Sequence, residues 1–334
     1  MSSSAASEQP LPAIDDIRRA ALRLAGHAVV TPLLTSAAID ARLGGRLLVK
    51  AETLQRTGSF KFRGAFNTLK QLTPPQQRAG VVAFSSGNHA QGVAAAAQLL
   101  GIAATIVMPA DAPAIKIANT RSYGAEIVLY DRQRESREAI AAGIAEERGA
   151  ILVKPFDDAR VIAGQGTAGL ELAAQATALG LALDAVVIPC SGGGLAAGCA
   201  LALAAVSPQT KVYTAEPAGF DDMRRSLIAG ERVVNAPGAA SLCDALMAPM
   251  PGEITFAIGR RVLAGGLVVD DDEVLAAMAV GFADYKLVIE PGGAAALAAI
   301  LAGKLALAGQ TVAVIASGGN VDSSIFARAL ATAG

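Results

Sequence analysis

One lysine lies in a setting that suits covalent chemistry. Lys61 stands between two phenylalanines in residues 58–65, GSFKFRGA, and a helical pattern follows it. Ser59 is a plausible N-cap, which would place Lys61 in the first helical turn. The positive end of a helix and nearby apolar rings both lower the pKa of an ammonium group. Such a lysine suits Schiff-base chemistry, although the motif alone also fits a surface lysine on an amphipathic helix.

A second polar group ends a predicted strand and begins a predicted helix. Its sequence is SSGNH, formed by Ser85, Ser86, Gly87, Asn88 and His89. Small hydroxyl side chains and backbone N–H groups at a helix N-terminus form an anion site, and a substrate carboxylate is the natural guest. The same residues could instead only cap the helix. A single histidine at a helix start is more often a structural hydrogen-bonding residue than a catalyst.

A glycine-rich loop lies between a later strand and helix. It comprises Ser191, Gly192, Gly193, Gly194 and Leu195. Glycines let backbone amides close on a phosphate, and the helix end adds favourable charge. The loop, with Glu216 at the end of the next strand, also loosely matches the dinucleotide fingerprint. An NAD-linked oxidoreductase is therefore an alternative, although it leaves Lys61 and the SSGNH group without a role.

Two more motifs follow strand ends near the end of the chain. Ser317 ends the last predicted strand and could form one hydrogen bond with a heteroatom. The segment 216–222, EPAGFDD, combines carboxylates with backbone carbonyls, which suits a hard cation such as Mg²⁺ or Ca²⁺. Taken alone, such a segment is more often a solvated acidic turn.

Apolar β-rich runs alternate with alanine-rich helical runs, which predicts a parallel sheet with helices on both faces. Strands buried on both sides explain a hydrophobic fraction of 53% and a mean hydropathy of +0.45. Ligands of such sheets bind beyond the carboxyl ends of the strands, where these motifs lie. The predicted strands are 46–51, 80–85, 104–108, 126–130, 185–189, 211–216 and 311–316, and the predicted helices include 88–100, 115–123, 135–148, 164–178 and 194–206.

Composition excludes several classes of protein. With 28 Lys+Arg against 29 Asp+Glu, the chain has no global attraction for nucleic acid or anionic membranes. The longest uncharged stretch, 185–210, could span a bilayer by length, but Pro189 and three glycines predict a buried strand–loop–helix unit. The N-terminus lacks the features of a signal peptide, and three cysteines without pair spacing fit buried residues in a reducing cytoplasm.

Together, these motifs resemble the fold-type II pyridoxal-phosphate (PLP) enzymes, in the branch of serine/threonine dehydratases and serine racemases. The resemblance runs from Thr31 to Asp322. It implies an α/β fold like that of the tryptophan synthase β subunit, with two domains that each hold a largely parallel sheet. The large domain would comprise 1–70 and 158–334, and the small domain 71–157. A cytoplasmic homodimer is expected, and the short chain after Ser317 implies no C-terminal regulatory domain.

The resemblance also implies a role for each motif. Lys61 would carry PLP as a Schiff base, and the other cofactor contacts would be Phe60 on the ring, Asn88 on the phenolic oxygen, Ser191, Gly192, Gly193, Gly194 and Leu195 on the phosphate, and Ser317 on the pyridine nitrogen. The substrate would be held by Ser85, Ser86, Gly87, Asn88, His89 and Arg137, with Ser86 as the acid–base that racemases use opposite the lysine. Glu216, the carbonyl of Phe220 and Asp222 match the divalent-metal site of that branch.

The implied reaction is β-elimination from a β-hydroxy L-amino acid to a 2-oxo acid and ammonia, with threonine and serine as the default substrates. Met247 and Ala248 lie where relatives carry a pocket serine, and an apolar wall favours threonine or phenylserine. Arg137 instead favours a second carboxylate, as in 3-hydroxyaspartate. Serine racemisation uses the same residues and remains an alternative.

Overall fold

Ten strands form two separate sheets in the computed structural model, which describes residues 11–85, 87–112, 114–131 and 133–332. The strands are β1 (Leu33–Thr35), β2 (Arg46–Ala51), β3 (Val81–Phe84), β4 (Ala104–Pro109), β5 (Glu126–Tyr130), β6 (Ile151–Leu152), β7 (Ala185–Pro189), β8 (Lys211–Pro217), β9 (Gly265–Val269) and β10 (Thr311–Ala316).

One sheet has six strands in the order β1-β2-β10-β7-β8-β9, and the other has four in the order β5-β4-β3-β6. Every neighbouring pair is parallel except β1 with β2. The predicted α/β fold with two largely parallel sheets is therefore confirmed. Strands β1, β6 and β9 were not predicted, because two are only two or three residues long and β9 begins with two glycines.

Helices connect the strands. They are α1 (Ile14–Leu24), α2 (Ala37–Leu43), α3 (Lys61–Leu69), α4 (Pro74–Ala79), α5 (Asn88–Leu100), α6 (Ala114–Ser122), α7 (Arg137–Arg148), α8 (Ala159–Ala178), α9 (Gly194–Val206), α10 (Asp222–Ala229), α11 (Glu253–Val262), α12 (Asp271–Tyr285), α13 (Pro291–Leu301) and α14 (Ser323–Ala331).

Successive residues of the central strand β10 enter two different cores. Val312 and Val314 pack in a cluster with residues of α12 and α13. Ala313 and Ile315 pack in a second cluster with residues of α8 and α9. Because both faces of the strand are covered, it carries an unbroken apolar run instead of an alternating pattern. This burial explains the hydropathy of the chain.

The four-stranded sheet is covered in the same way. Ala83 and Ile106 pack with residues of α3 and α5, whereas Val82 and Val107 pack with residues of α7. All four strands fall between 81 and 152, inside the range predicted for the small domain. The exact domain boundaries stay a prediction.

The uncharged stretch 185–210 forms β7, the glycine loop and α9. Within the described ranges, no helix combines the length and hydropathy needed to cross a bilayer. All three cysteines, Cys190, Cys199 and Cys243, are free and buried, as the sequence predicted.

Candidate active site

A cavity of about 180 Å³ brings the sequence motifs together. Thirteen of the predicted cofactor and substrate residues line it: Phe60, Lys61, Ser85, Gly87, Asn88, His89, Arg137, Ser191, Gly192, Gly193, Gly194, Leu195 and Ser317. Ser86 lies outside the described residues. The cavity lies at the carboxyl ends of β3, β7 and β10, as expected for a ligand site of parallel sheets.

Lys61 is the first residue of α3, as predicted, but Ser59 does not cap that helix. The cap position belongs to Phe60. Ser59 is one residue too early, because its extended backbone forms a β-bridge with Gly318. Among the described residues, its buried Oγ has no hydrogen-bond partner. The N-cap prediction is therefore wrong, whereas the placement of Lys61 in the first turn is confirmed.

The Lys61 amine is held in the cavity by few polar contacts. Its Nζ donates to the carbonyl of Pro155 at 2.8 Å and lies 5.1 Å from the ring centroid of Phe60. Loss of hydration lowers the pKa of Lys61 to about 8, although the Glu290 carboxyl acts in the opposite direction. The amine is therefore partly neutral near physiological pH, which is the form that attacks a carbonyl.

In the glycine loop, the Gly192 carbonyl is engaged by other residues, and the start of α9 lines the cavity. The Gly192 carbonyl accepts hydrogen bonds from Thr255 Oγ1 at 2.6 Å and from the Gly252 N–H at 3.2 Å. Gly193 has a φ of +94°, in the left-handed region that favours glycine. Because α9 begins at Gly194, the first N–H groups of that helix have no partner inside it. The loop thus offers backbone donors and a positive helix end to an anion.

The loop is a cradle that side chains would fill. A Cβ on Gly192 would lie 2.4 Å from the Phe156 ring, and a Cβ on Gly194 would lie 2.5 Å from Gln165 Oε1. The loop is therefore closely packed from behind, and only glycine leaves its amides free to approach a phosphate. These residues fit the phosphate of PLP.

A second candidate anion site lies at the start of α5. Ser85 follows β3, and its Oγ accepts the Gly87 N–H at 3.1 Å. The N–H groups of Asn88 and His89, in the first turn, have no intrahelical partner. These N–H groups can donate to a ligand, and their binding of a substrate carboxylate stays a prediction.

The imidazole of His89 is neutral. Its Nε2 lies 2.9 Å from the Val153 carbonyl. A carbonyl only accepts, so Nε2 carries the hydrogen. Burial, with a smaller effect of Lys61, lowers the pKa of His89 to about 3. The ring is thus a structural hydrogen-bonding group, and the backbone of His89 serves the anion site.

Ser317 directly follows β10 and is 5% exposed. Its carbonyl accepts the Phe60 N–H at 3.1 Å, which ties the end of β10 to the start of α3. This hydrogen bond therefore fixes the position of Ser317 relative to Lys61 in the wall of the cavity. A serine here offers one neutral hydrogen bond to a ring nitrogen, where a carboxylate would stabilise a protonated ring.

Sequence reasoning missed four polar residues of this region. Glu290, Lys116 and Asp244 line the cavity, and Asn320 donates to Asn88 Oδ1 at 2.7 Å. A signal for Glu290 was available, since a carboxylate interrupts the apolar run 287–301. Asn320 lies three residues after Ser317, and the sequence analysis gave it no role.

Arg137 and Lys116 place two cations in the wall of the cavity. Arg137 begins α7, pairs with Glu138 at 2.8 Å and lies over the Phe84 ring. Lys116 on α6 pairs with Asp244 at 3.0 Å. These two cations could therefore bind a second anionic group, in addition to an anion bound at the start of α5.

The predicted metal ligands lie apart from this cavity. Glu216 and Asp222 are fully buried, and Phe220 is 6% exposed. Both Glu216 oxygens accept hydrogen bonds, from the N–H groups of Met223 and Arg224. In the described part of the chain, Asp222 Oδ2 has no partner, and no group of three His, Cys, Asp or Glu residues could hold a metal.

Burial affects both carboxyl groups. It raises the pKa of Glu216 to about 8, helped by Asp222, and the pKa of Asp222 to about 6. The partnerless buried oxygen of Asp222 is consistent with a bound cation. The oxygens of Glu216 already accept hydrogen bonds and do not require one.

Comparison with known proteins agrees with this geometry. The family model of pyridoxal-phosphate dependent enzymes matches residues 24–318. The chain is 45% identical to an L-threo-3-hydroxyaspartate ammonia-lyase of Pseudomonas sp, over 94% of this chain and 97% of that protein. The crystal structure of a T.th. threonine deaminase has a TM-score of 0.88 and 48% identity, covering 93% of this chain and 99% of that one. The structure of maize serine racemase has a TM-score of 0.90 and 38% identity, covering 97% and 98%.

The predicted resemblance is therefore confirmed, and the NAD-linked alternative is set aside. A match over most of the chain, joined to a partly buried lysine beside a glycine loop in one cavity, identifies the cofactor as PLP. The chain belongs to the pyridoxal-phosphate-dependent enzymes, as a fold-type II lyase of the serine/threonine dehydratase and serine racemase group.

Proposed function

We propose that this lyase removes water from a β-hydroxy L-amino acid and releases a 2-oxo acid and ammonia. The observation that carries the proposal is Lys61. Its amine has a lowered pKa and lines one cavity with the phosphate cradle, the α5 anion site and Ser317. A neutral amine in this position can take a proton from Cα of a bound amino acid.

The protein's own residues hold the reactants and move the proton. The N–H groups of α9 hold the phosphate, and those of Asn88 and His89 hold the substrate α-carboxylate. Lys61 Nζ takes the Cα proton, and the β-hydroxyl takes up a proton and leaves the neighbouring carbon as water. The released unsaturated amino acid tautomerises to an imine, which water hydrolyses to the 2-oxo acid and ammonia. When bound, PLP supplies an electron sink for the pair that remains at Cα. Ser317 carries no charge, which favours loss of the β-substituent over other fates of that pair.

Threonine and serine are the default substrates. A second candidate, 3-hydroxyaspartate, is favoured by Lys116 and Arg137, whose positive charges could hold a second carboxylate. The Pseudomonas relative named for this substrate is consistent with that candidate. Met247 and Ala248 line the cavity as well and keep phenylserine as an alternative.

Further features are part of the proposal. The domain boundaries (1–70 with 158–334, and 71–157), a homodimer, a cytoplasmic location and a divalent cation at Glu216, Phe220 and Asp222 are proposed from the family resemblance. Racemisation as a side activity would need Ser86. Chiral analysis of the products formed from L-serine tests it, since an absence of D-serine would remove this alternative.

The main test combines a spectrum with a turnover panel. The purified protein should show the visible absorbance of PLP bound to a lysine, and borohydride should abolish it. Lys61→Ala should lose both the absorbance and turnover, whereas Lys70→Ala, at an exposed lysine of the same helix region, should keep both. Substantial dehydratase activity in Lys61→Ala would contradict the proposal. Comparing threonine, serine, 3-hydroxyaspartate and phenylserine identifies the substrate.

A further inference from the structure

Glu290 is a buried carboxyl that the proposed reaction does not use. It is 2% exposed and lines the cavity. It occupies the residue before α13, yet within the described structure its side chain makes no capping hydrogen bond to that helix. Helix N-termini are favourable partners for carboxylates, so a buried carboxyl that makes no bond there is held by another interaction.

That interaction is a hydrogen bond to Asn88. Glu290 Oε1 accepts from Asn88 Nδ2 at 2.5 Å, across 202 residues of chain. On its other side, Asn88 Oδ1 accepts from Asn320 Nδ2 at 2.7 Å. The Asn88 carboxamide is therefore held at both ends.

The chemistry of the neighbours determines which way this amide points. Asn320 Nδ2 also donates to the Thr57 carbonyl at 2.8 Å. Because a backbone carbonyl only accepts, the Asn320 nitrogen must lie there, and its second hydrogen must meet Asn88 Oδ1. Asn88 Nδ2 is thereby turned toward Glu290, which leaves one further N–H on the same nitrogen.

The absence of a side chain at Gly318 leaves the space that the Glu290 carboxyl occupies. The Glu290 N–H donates to the Gly318 carbonyl at 3.0 Å. A Cβ on Gly318 would lie 2.2 Å from Glu290 Oε1, so a larger residue there would displace the carboxyl. Gly318 follows Ser317 directly. The carboxyl is therefore fitted to the same segment that presents Ser317 to the cavity.

Three charged groups face Glu290 from the surrounding elements: Asp244, Lys116 on α6 and Lys61 on α3. Burial, with the help of Asp244, raises the pKa of Glu290 to about 8, against the effects of Asn88, Lys116 and Lys61. The carboxyl is therefore largely protonated at neutral pH. A neutral carboxyl still accepts from Asn88 through its carbonyl oxygen.

We infer that Glu290 is a positioning residue of the active site, which holds the Asn88 amide so that Nδ2 presents a donor to the cofactor's phenolic oxygen. The inference rests on the proposed function in one respect, the contact between Asn88 and PLP. It predicts that Glu290 affects cofactor binding through Asn88 without being a reacting group itself.

The test compares Glu290→Ala with Glu290→Gln. Loss of the acceptor in Glu290→Ala should raise the Kd of the apoprotein for PLP about five- to tenfold and shift the visible absorbance of the holoenzyme. Glu290→Gln keeps an acceptor for Asn88, so its Kd should stay within about twofold of the wild-type value. If Glu290 titrates in the holoenzyme, the Gln variant should also lose a pH-dependent change of that absorbance.

Two comparisons make the test specific. In a double-mutant cycle, Glu290→Ala should change the PLP Kd little once Asn88 is already alanine. Glu146→Ala removes an exposed carboxyl of α7 outside the cavity lining and should leave the absorbance unshifted. An equal shift in Glu146→Ala, additive effects in the cycle, or a Glu290→Ala protein with wild-type Kd and spectrum would each overturn the inference. A wild-type protein that binds no PLP would instead contradict the proposed function.

Discussion

The Lys116 ammonium lies 3.0 Å from the Asp244 carboxylate, and both residues line the cavity. Lys116 belongs to α6, beside the four-stranded sheet, whereas Asp244 lies between β8 and β9 of the six-stranded sheet. Burial acts to lower the pKa of Lys116, but the Asp244 carboxylate holds it above its ordinary value. The cavity therefore contains a permanent cation whose carboxylate partner a substrate anion could replace.

Substrate selectivity should depend on this cation and on Arg137. Lys116→Met and Arg137→Met should each lower kcat/KM for 3-hydroxyaspartate about tenfold or more, because a charge-assisted contact to the second carboxylate is lost. Threonine has no second carboxylate, so its kcat/KM should change little. Arg134→Met, at an exposed arginine outside the cavity lining, serves as the control. Equal losses for both substrates would rule out this assignment.

The pH profile of turnover should report the amine of Lys61. Only the neutral amine accepts a proton, and its pKa lies near 8. The kcat should therefore rise as the pH increases through that value and then level off. The profile is measured under saturating substrate and PLP, so that kcat reports the bound complex. A kcat that stays constant on both sides of this pKa would show that Lys61 is not the limiting base.

Cofactor affinity should depend on the space at Gly193. In Gly193→Ala, the new Cβ would lie 2.9 Å from Thr255 Cβ, a side chain held by its hydrogen bond to the Gly192 carbonyl, on a backbone with φ +94°. We expect the Kd for PLP to rise at least about tenfold, because the loop must shift away from the phosphate. Gly230→Ala is a matched control, since Gly230 also has a positive φ but nothing within 4 Å of the new Cβ. Both variants should lose about 1–2 kcal/mol of stability, because a left-handed backbone costs that much for a residue with a Cβ. An equal Kd in the two proteins would contradict the proposed phosphate site.

A buried ion cluster behind Lys61 should dominate the stability of this region. Arg63 on α3 pairs with Glu52 at 2.7 Å, and both side chains are fully buried. Glu171 pairs with Arg63 at 2.7 Å and with the buried Lys50 at 2.9 Å, so the cluster holds two cations and two carboxylates. Glu52→Gln should lower the free energy of unfolding by about 3–5 kcal/mol, because it leaves a buried guanidinium short of its counter-charge. Glu126→Gln, in the exposed pair with Arg148, should cost at most about 1 kcal/mol. Urea unfolding curves measure both values, and similar losses would show that burial does not govern these pairs.

Glu52 should also make the free energy of unfolding depend on pH in the acidic range. Burial alone would raise the pKa of Glu52, but the Arg63 guanidinium holds it below its ordinary value. A lowered folded-state pKa contributes stability above the unfolded value, and this contribution is lost as the pH falls through the folded one. The wild-type protein should thus lose more stability on acidification than Glu52→Gln does.

A divalent cation at the acidic site should stabilise the fold. If Mg²⁺ binds at Glu216 and Asp222, adding it should raise the Tm of the wild-type protein, since a ligand that binds only the folded state stabilises it. Asp222→Asn removes the partnerless buried carboxylate oxygen and should abolish this increase. Asp221→Asn, one residue earlier and paired with Arg224 and Arg225, should keep it. A Tm that does not respond to Mg²⁺ would count against the metal site.

The sequence was sufficient for the fold class and for most of the cavity lining. Buried parallel strands leave unbroken apolar runs, and glycines at strand–helix junctions mark where a backbone must approach a ligand. For this reason Lys61, the glycine loop and Ser317 could be recognised before their positions were known. The order of strands could not, because β10 pairs with β2 across most of the chain. No local sequence pattern predicts the pairing of these two strands.

Tertiary structure decided the electrostatics and the supporting contacts. Ser59 looked like a helix cap by residue type, but a bridge to Gly318 gives it another role. Glu290 and Asn88 are far apart in the chain and meet only when both sheets are assembled. The lowered pKa of Lys61 agrees with the prediction from its sequence neighbours, whereas the raised pKa of Glu290 follows from burial that its neighbours in sequence do not predict. Residue types and local spacing thus determined which groups could do the chemistry, whereas packing over long sequence separations decided how those groups are held and charged.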